Sequence, residues 1–225
     1  MSGVHVDYKV AIGSWVRDRL ARNPAALKIA SDDLDIFVVR NFLTDDECAG
    51  LVRIIDSGRV PSQLLSPNDD SEFRTSESCN LDMHHPFIRG IEDKITGLIG
   101  ITASHGETIQ GQRYAIGQQF KLHHDYFYPG ESYWPEMERT GGQRTWTAMI
   151  FLNTPEGGGQ TFFEKAGVRV SPRAGNLLTW NNLDGAGAPN PFSLHQGMPV
   201  TQGVKYIITK WYRERPWSYS QNMPY

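Results

Sequence analysis

The chain has 225 residues, 39% of them hydrophobic and 21% charged, which is enough apolar material for a globular core. Its formal net charge of −3 excludes a basic footprint for nucleic acid or an anionic membrane. No stretch has the roughly eighteen consecutive apolar residues that a membrane-spanning helix needs. The first residues also show no apolar segment of the kind found in signal peptides. Two cysteines, Cys48 and Cys79, cannot build a disulfide framework. These features predict a reduced, cytoplasmic protein.

Helix signals dominate the N-terminal part of the sequence. The spacing of apolar residues predicts an amphipathic helix over residues 7–22, and the short β-branched run 35–43 predicts a strand. A capping box at Thr44 opens a helix that closes at Gly58, and a further helix is predicted over 86–100. The apolar stripe of the first helix consists of Tyr8, Ile12, Trp15, Val16 and Leu20.

Two polar stretches lack any period, residues 59–72 and 129–142. Their proline, glycine and charged residues are typical of irregular loops rather than of helices or strands. We expect both to be mobile in the free protein and to close over a bound substrate, with residues 129–142 as a lid.

Short β-type runs follow residue 106, separated by Gly, Pro and Asn. Helices first and strands later predict a single α+β domain over residues 1–225. The expected core, about 106–215, is a double-stranded β-helix (jelly roll), supported by N-terminal helices over about 1–105. The runs are ETIQGQRYAI, RTWTAMIFLN, QTFF, VRVS, NLLTW and VKYIITKWY.

The pair His123-x-Asp125 is the first candidate metal motif. In a strand, residues i and i+2 point to the same face, so imidazole and carboxylate can converge on one ion. Taken alone this spacing is common, and a surface histidine beside a surface aspartate is the alternative.

His195 and Lys205 form the second candidate pair. Strand alternation from Lys205 places Ile207, Thr209 and Trp211 on its face. A lysine among such neighbours needs a carboxylate partner, unless it stays in water at the strand end, which is the alternative. Two histidines and one carboxylate together suit an iron(II) oxygenase, because they leave positions open for a bidentate 2-oxo acid and dioxygen.

Several segments in register resemble the catalytic domain of prolyl 4-hydroxylases, from about residue 36 to 213. The strongest is the run Tyr114 to Phe127, YAIGQQFKLHHDYF, which resembles the iron-binding segment of that family. Further matching segments are Arg74-Thr75-Ser76, RTWT at 144–147, FLN at 151–153, GGQT at 158–161, SLHQGMPV at 193–200, GVK at 203–205 and TKW at 209–211.

The resemblance implies iron(II) bound by His123, Asp125 and His195, and 2-oxoglutarate bound through its 5-carboxylate by Lys205. It also implies a role for residues around these groups. Those residues are Tyr114, Thr161 and Trp211 in the co-substrate pocket, and Arg74, Ser76, Glu107 and Arg144 around a peptide substrate. Core packing remains the alternative for the two aromatics, and surface charge for the two arginines.

The implied reaction hydroxylates an unactivated C–H bond, foremost C4 of a peptidyl proline, while 2-oxoglutarate and O2 yield succinate and carbon dioxide. Ascorbate is the implied reductant, and no side chain is needed as a catalytic acid or base. A hydroxylase of free proline or another amino acid stays open, as does a non-catalytic cupin-like module that binds metal or peptide. Halogenase chemistry is disfavoured by Asp125, and a zinc hydrolase would need a general base that the sequence does not show.

The sequence departs from the family pattern at three positions. Phe120 stands where Tyr is frequent, Tyr206 where Trp is, and Ser78 where Gly is. These departures leave the implied iron and co-substrate residues intact and bear on the prime substrate. Four further histidines, His84, His85, His105 and His124, match no family role.

Overall fold

The structure is a computed structural model that describes residues 8–66 and 69–217. Helices pack on one side of a large antiparallel sheet, and a smaller sheet covers its other side. The N-terminal elements are α1 (Tyr8–Arg22), β1 (Ala26–Lys28), β2 (Ile36–Val39), α2 (Asp45–Gly58), β3 (Val60–Pro61), β4 (Glu77–Asn80) and α3 (Pro86–Ile99).

Strands dominate the remainder of the described chain. They are β5 (Gln110–Tyr114), β6 (Phe120–His123), β7 (Arg144–Phe151), β8 (Gly157–Gly158), β9 (Thr161–Phe163), β10 (Val168–Val170), β11 (Leu177–Asn181), β12 (His195–Gly197), β13 (Val200–Gln202) and β14 (Lys205–Arg213). Short helical segments interrupt them at Ala103–His105, Trp134–Arg139 (α4) and Pro191–Ser193.

The helix boundaries follow the capping chemistry of the sequence. The Thr44 side chain accepts a hydrogen bond from the Glu47 amide, and the Glu47 carboxylate accepts one from the Thr44 amide, which starts α2. Pro86 occupies the first turn of α3, and Gly100 ends it in the left-handed conformation at φ 85°. Both predicted helices are confirmed.

The predicted apolar stripe of α1 is only partly correct. Ile12, Val16 and Leu20 are buried, but Tyr8 and Trp15 are 54% and 51% exposed. The buried side of this helix is narrow, so residues at its margin reach solvent. Residue 7, where the predicted helix begins, lies outside the described residues.

The large sheet has eight strands in the order β1-β2-β11-β7-β14-β5-β4-β3, all paired antiparallel. Its central strand β7 is buried on both faces, since Trp146, Ala148 and Ile150 pack under the helices while Met149 and Phe151 face the second sheet. Strands covered on both sides read as continuous apolar runs, as RTWTAMIFLN does.

The second sheet, β10-β9-β12-β6, lies against this inner face. Phe163 of β9, Trp180 of β11 and Ile207 of β14 belong to one buried cluster between the two sheets. Two facing antiparallel sheets of short strands, with helices outside, are the predicted α+β double-stranded β-helix, and the fold class is confirmed. In the described part of the chain, no helix has both the length and the apolar character to cross a bilayer.

The two stretches predicted to be irregular are more ordered than expected. Residues 129–142 contain the helix α4, whose Met137 is 3% exposed and accepts a hydrogen bond from Arg213 through its carbonyl. Val60 and Pro61 pair with β4, while residues 67–68 lie outside the described part. The polar composition of these stretches gave no sign of such contacts, because the partners are strands distant in the sequence. Mobility of the two stretches stays a prediction.

Candidate metal centre and co-substrate pocket

The two histidines of the predicted triad come together through strand pairing. His123 ends β6 and His195 begins β12, and the register of these antiparallel strands places them directly opposite each other. Asp125 lies two residues beyond the end of β6, so the turn that follows the strand, rather than strand alternation itself, brings its carboxylate in. One ligand atom from each residue lies within 4.8 Å of the others. The predicted triad is therefore assembled.

Backbone carbonyls set the orientation of both imidazoles. His123 Nδ1 is 2.7 Å from the Lys121 carbonyl oxygen, and His195 Nδ1 is 2.9 Å from that of Ser193. A carbonyl only accepts, so each Nδ1 carries a proton, and Nε2 is the nitrogen that each ring can offer to a metal. Burial lowers the pKa of His123 to about 3, which keeps this ring neutral and ready to bind.

The Asp125 carboxylate is 6% exposed and divides its two oxygens between different tasks. Oδ2 accepts a hydrogen bond of 2.8 Å from the Thr147 hydroxyl, while Oδ1 lies 3.8 Å from His123 Nε2. Burial alone would raise the pKa of Asp125, but His195, His123 and Arg144 and the Thr147 hydrogen bond hold it below its usual value. The group is therefore an anion.

Lys205 is buried beside the triad, with 1% of its surface exposed. Its Nζ lies 5.0 Å from the centre of the Tyr114 ring and 5.8 Å from that of Phe151. Within residues 8–66 and 69–217 no carboxylate or other hydrogen-bond partner meets it, and burial lowers its pKa to about 7. The alternative of an exposed strand-end lysine is thus wrong.

One small cavity connects this lysine to the metal ligands, and it is lined by Lys205, His123, Asp125 and His195 together. Thr161 and Trp211 also line it; Thr161 Oγ1 and Trp211 Nε1 are buried and have no hydrogen-bond partner in the described parts of the chain. A carboxylate ligand would satisfy a hydroxyl, an indole N–H and an ammonium at once. The residues present therefore fit iron(II) and a dicarboxylate co-substrate.

A wider groove of about 470 Å³ opens on the other side of the triad. Arg144 extends along it, 4.1 Å over the ring of Trp211, and pairs with Glu107 through two hydrogen bonds of 2.7 and 2.6 Å. Arg213 binds the same carboxylate, whose pKa is held low by the two arginines against the effect of burial. Glu107 thus orients Arg144 in the groove wall.

The remaining predicted substrate residues, Arg74 and Ser76, take different positions. Arg74 lines the groove, lies 4.8 Å over the Phe120 ring and donates a hydrogen bond to Gln110. Ser76 is buried and shares a 2.9 Å hydrogen bond with Ser62, away from the groove lining. The structure therefore brings Arg74 to the groove and leaves Ser76 behind it.

Tyr114 is connected to Arg74 by hydrogen bonds along the inner face of β5. The Tyr114 hydroxyl donates to Gln112, the Gln112 amide donates to Gln110, and Gln110 accepts from Arg74 as well. This chain links the co-substrate cavity to the groove. Sequence reasoning missed it, although the alternate spacing of residues 110, 112 and 114 on one strand face was a usable signal.

The three departures from the family pattern separate by location. Phe120 stacks on His123 with ring centres 3.6 Å apart, and Ser78 lines the groove, so both touch the substrate side. Tyr206 lies on the outer face, where its hydroxyl donates to Asp56. The unassigned His124 also lines the groove, stacked 4.4 Å from Tyr126.

Comparison with known proteins places this fold and site in a class. The family model described as "2OG-Fe(II) oxygenase superfamily" matches residues 109–213, the segment that contains all three triad residues and Lys205. The protein is accordingly a 2-oxoglutarate-dependent dioxygenase that uses iron(II), 2-oxoglutarate and dioxygen.

Individual relatives narrow the class. Prolyl 4-hydroxylase 2 of Arabidopsis thaliana is 32% identical over 84% of this chain and 70% of its own length. A putative prolyl 4-hydroxylase of Acanthamoeba polyphaga mimivirus is 30% identical, with coverage of 81% and 75%. The viral collagen prolyl hydroxylase of Paramecium Bursaria Chlorella virus-1, solved with 2-oxoglutarate, superposes with a TM-score of 0.62 at 25% identity, covering 79% of this chain and 94% of that one. The chain belongs to the prolyl 4-hydroxylase family.

Proposed function

We propose that this protein hydroxylates proline residues in a peptide or protein, with His123, Asp125 and His195 as the iron ligands. These two imidazoles and the single carboxylate would hold the ion and leave further positions free for other ligands. The chemistry supplied by bound iron is the coupled oxidation of a 2-oxo acid and of a substrate C–H bond. The protein supplies the orientation of both substrates and a cavity that excludes water.

Lys205 is the observation that carries the co-substrate assignment. A buried ammonium with no anionic partner in the described chain is costly unless a ligand brings the anion. The 5-carboxylate of 2-oxoglutarate supplies that anion, and the buried Thr161 hydroxyl and Trp211 indole N–H supply further donors. Tyr114 closes the pocket beside the ammonium. A cupin-like module that only holds a metal gives no reason for such a lysine.

The groove supports a peptide rather than a free amino acid as prime substrate. Its volume of about 470 Å³ lies within the range of sites that enclose drug-sized ligands. Arg74 and Arg144 extend along its wall, where backbone carbonyls of a peptide can accept hydrogen bonds. Glu107 and Ser76 act behind them, Glu107 by fixing Arg144. The collagen prolyl hydroxylase activity named for the viral relative agrees with this choice.

The test uses mass spectrometry of proline-containing peptides, free proline and other amino acids after incubation with iron(II), 2-oxoglutarate and ascorbate. We expect a gain of one oxygen on peptidyl proline, together with one succinate per hydroxylation. Oxidation of free amino acids alone would replace the peptide proposal. Ascorbate is proposed as the reductant that sustains turnover, and omitting it from a parallel incubation tests this.

The ligand assignment is tested with alanine variants of the triad. We expect His123→Ala, Asp125→Ala and His195→Ala each to lose iron-dependent succinate formation while keeping a cooperative unfolding transition. His84→Ala is the control, since His84 is exposed and lines neither the cavity nor the groove. A His195→Ala variant that retains most of its turnover would contradict the site.

A reducing, cytoplasmic location is proposed from cysteine chemistry. Cys48 and Cys79 are both free thiols, and burial raises the pKa of each, so neither is primed to react. Fractionation of the host cell with antibodies to this protein tests the location, and recovery in a secreted or organellar fraction would contradict it.

A further inference from the structure

The structure assigns a positioning role to Thr147 and Asn182, which hold Asp125 so that it offers the metal one oxygen only. This inference rests on the proposed metal site. Thr147 lies in β7 and Asn182 directly follows β11, and both are fully buried. Neither lines the cavity or the groove, so any effect on the reaction passes through Asp125.

The donor and acceptor capacities of the groups fix the direction of the hydrogen bonds that join Asn182, Thr147 and Asp125. Thr147 Oγ1 lies 2.8 Å from Asp125 Oδ2, and Asn182 Nδ2 lies 2.9 Å from Thr147 Oγ1. An amide nitrogen only donates and a carboxylate oxygen only accepts. The single hydroxyl proton of Thr147 must therefore go to Asp125, while its oxygen accepts from Asn182.

The opposite orientation of the Asn182 amide is unfavourable. Its Oδ1 would then claim the proton of Thr147 and leave a buried, charged oxygen of Asp125 without a donor, which is costlier than an unpaired neutral amide oxygen. In the present orientation the unpaired atom is Asn182 Oδ1, which has no partner among the described residues. The arrangement thus gives priority to the carboxylate.

Strand pairing holds Thr147 and Asn182 rigidly in place. The register of β7 and β11 sets Thr147 opposite Trp180, and the Thr179 hydroxyl donates to the Thr147 carbonyl at 2.7 Å. The backbone N–H of Asn182 donates to the Thr145 carbonyl at 2.8 Å, which fixes the backbone at the residue whose side chain contacts Thr147. Thr147 and Asn182, which form the hydrogen-bond relay to Asp125, are therefore both held by backbone hydrogen bonds at the centre of the large sheet.

The consequence concerns the number of open positions on the metal. With Oδ2 held by Thr147, only Oδ1 faces the site, 3.8 Å from His123 Nε2. Two histidines and one oxygen leave room for both donor atoms of a 2-oxo acid and for dioxygen. A carboxylate released from Thr147 can bind through both oxygens and occupy one of these positions. The relay therefore protects co-substrate binding more than metal binding.

The experiment compares Thr147→Val, which is isosteric but has no hydroxyl, with Thr147→Ser, which keeps it. Thr145→Val is the matched control, because Thr145 is equally buried in the same strand and its hydroxyl donates to the Tyr212 carbonyl rather than to Asp125. Calorimetry measures the dissociation constant of Mn(II), then that of 2-oxoglutarate for the Mn(II)-loaded protein. The absorption spectrum of the Co(II) protein reports the coordination geometry without turnover.

For Thr147→Val we expect Mn(II) affinity within about threefold of wild type and 2-oxoglutarate affinity at least about tenfold weaker, the size of one hydrogen bond to a charged group. Its Co(II) spectrum should change, while Thr147→Ser and Thr145→Val should resemble wild type in all three measurements. If Thr147→Val fails to fold, Thr147→Ala removes the same hydroxyl without adding atoms and replaces it in the comparison.

Two results would overturn the inference alone, given a wild type that binds both ligands. One is unchanged 2-oxoglutarate affinity in Thr147→Val, and the other is an equal loss in Thr145→Val, which would indicate general loosening of the sheet. A wild-type protein that binds no Mn(II) would overturn the proposed metal site and this inference with it.

Discussion

Lys205 shows at the scale of one residue how burial creates a binding requirement. Its charge is removed from water by the apolar inner face of β14, and no carboxylate in the described parts of the chain offsets this. Such a group either loses its proton or acquires an anionic ligand. Two predictions follow from these alternatives.

The first prediction concerns removal of the ammonium. Lys205→Ala should raise the KM for 2-oxoglutarate at least about tenfold, because a charge-assisted hydrogen bond contributes about 1.5–3 kcal/mol. Lys205→Arg should also bind poorly, since a planar, bulkier guanidinium does not fit a site shaped for an ammonium. The measurement is a 2-oxoglutarate titration at saturating iron.

Lys210→Ala is the control for this titration. Lys210 is an equally buried lysine of the same strand, but it points to the helix side and pairs with Glu92. Its loss should lower stability and leave the KM unchanged. An unchanged KM in Lys205→Ala would remove the main reason for assigning 2-oxoglutarate to this cavity.

The second prediction concerns pH. Burial lowers the pKa of Lys205 to about 7, and a bound carboxylate must raise it again. Above pH 7 the free protein has lost the proton that the complex needs, so binding takes up a proton. The dissociation constant of 2-oxoglutarate should therefore rise by up to about tenfold per pH unit above 7. Below pH 7 it should level off.

Calorimetry in buffers of different ionisation enthalpy measures this proton uptake directly. Lys205→Arg keeps its charge throughout, so its weaker binding should lack the pH dependence. A wild-type dissociation constant that stays flat between pH 6.5 and 8.5 would contradict the buried ammonium as the binding group.

At the scale of elements, the groove wall depends on contacts between segments distant in the chain. Glu107 precedes β5, Arg144 begins β7 and Arg213 ends β14. The Glu107 carboxylate accepts hydrogen bonds from both arginines and so joins the three segments. Through Met137, Arg213 also holds α4 against this wall. The segment 129–142 is thus attached at α4, while its first residues, around Gly130, are exposed.

The third prediction is that closure over substrate is confined to the exposed first part of this segment. We expect amide hydrogen exchange to slow around residues 129–133 when peptide and 2-oxoglutarate bind, with little change within α4, whose backbone is already bonded to Arg213. Exchange mass spectrometry of the Mn(II) protein with and without peptide measures this. Equal protection of residues 129–133 in both states would contradict closure.

At the scale of the whole molecule, the metal centre connects the two sheets. His123 and His195 lie in the small sheet, whereas Asp125 is held by Thr147 of the large one. A metal bound to all three residues joins both layers of the roll. Ligands that bind only the folded state raise its free energy of unfolding in proportion to the logarithm of their concentration.

The fourth prediction is a stability gain from the metal. Mn(II) at a concentration one hundred times its dissociation constant should raise the free energy of unfolding by about 2.7 kcal/mol. Asp125→Ala should abolish this gain, because it removes the only anionic ligand of the proposed site, and His124→Ala should keep it. Chemical denaturation with and without Mn(II) gives these values. A gain that persists in Asp125→Ala would place the metal elsewhere.

The helices α2 and α3, the main strands and the chemistry of the centre could be predicted from the sequence alone. A capping residue such as Thr44 contacts groups within one helical turn, and alternation along β14 relates residues two positions apart. Both patterns can therefore be recognised in a short stretch of sequence. The resemblance of the run 114–127 and of the segments around His195 and Lys205 added the family, since metal and co-substrate binding require particular residue types at fixed places in the fold.

The contacts that join these residues became visible in the fold alone. The hydrogen bond from Thr147 to Asp125 spans 22 positions and the pairing of Glu107 with Arg213 spans 106, so no local pattern signals either. The same holds for the order of 129–142, where polarity predicted a loop and a contact with Arg213 favours a helix. Sequence spacing specifies which groups share a face, but distance across a sheet depends on strand order, which is set by how all the strands pack together.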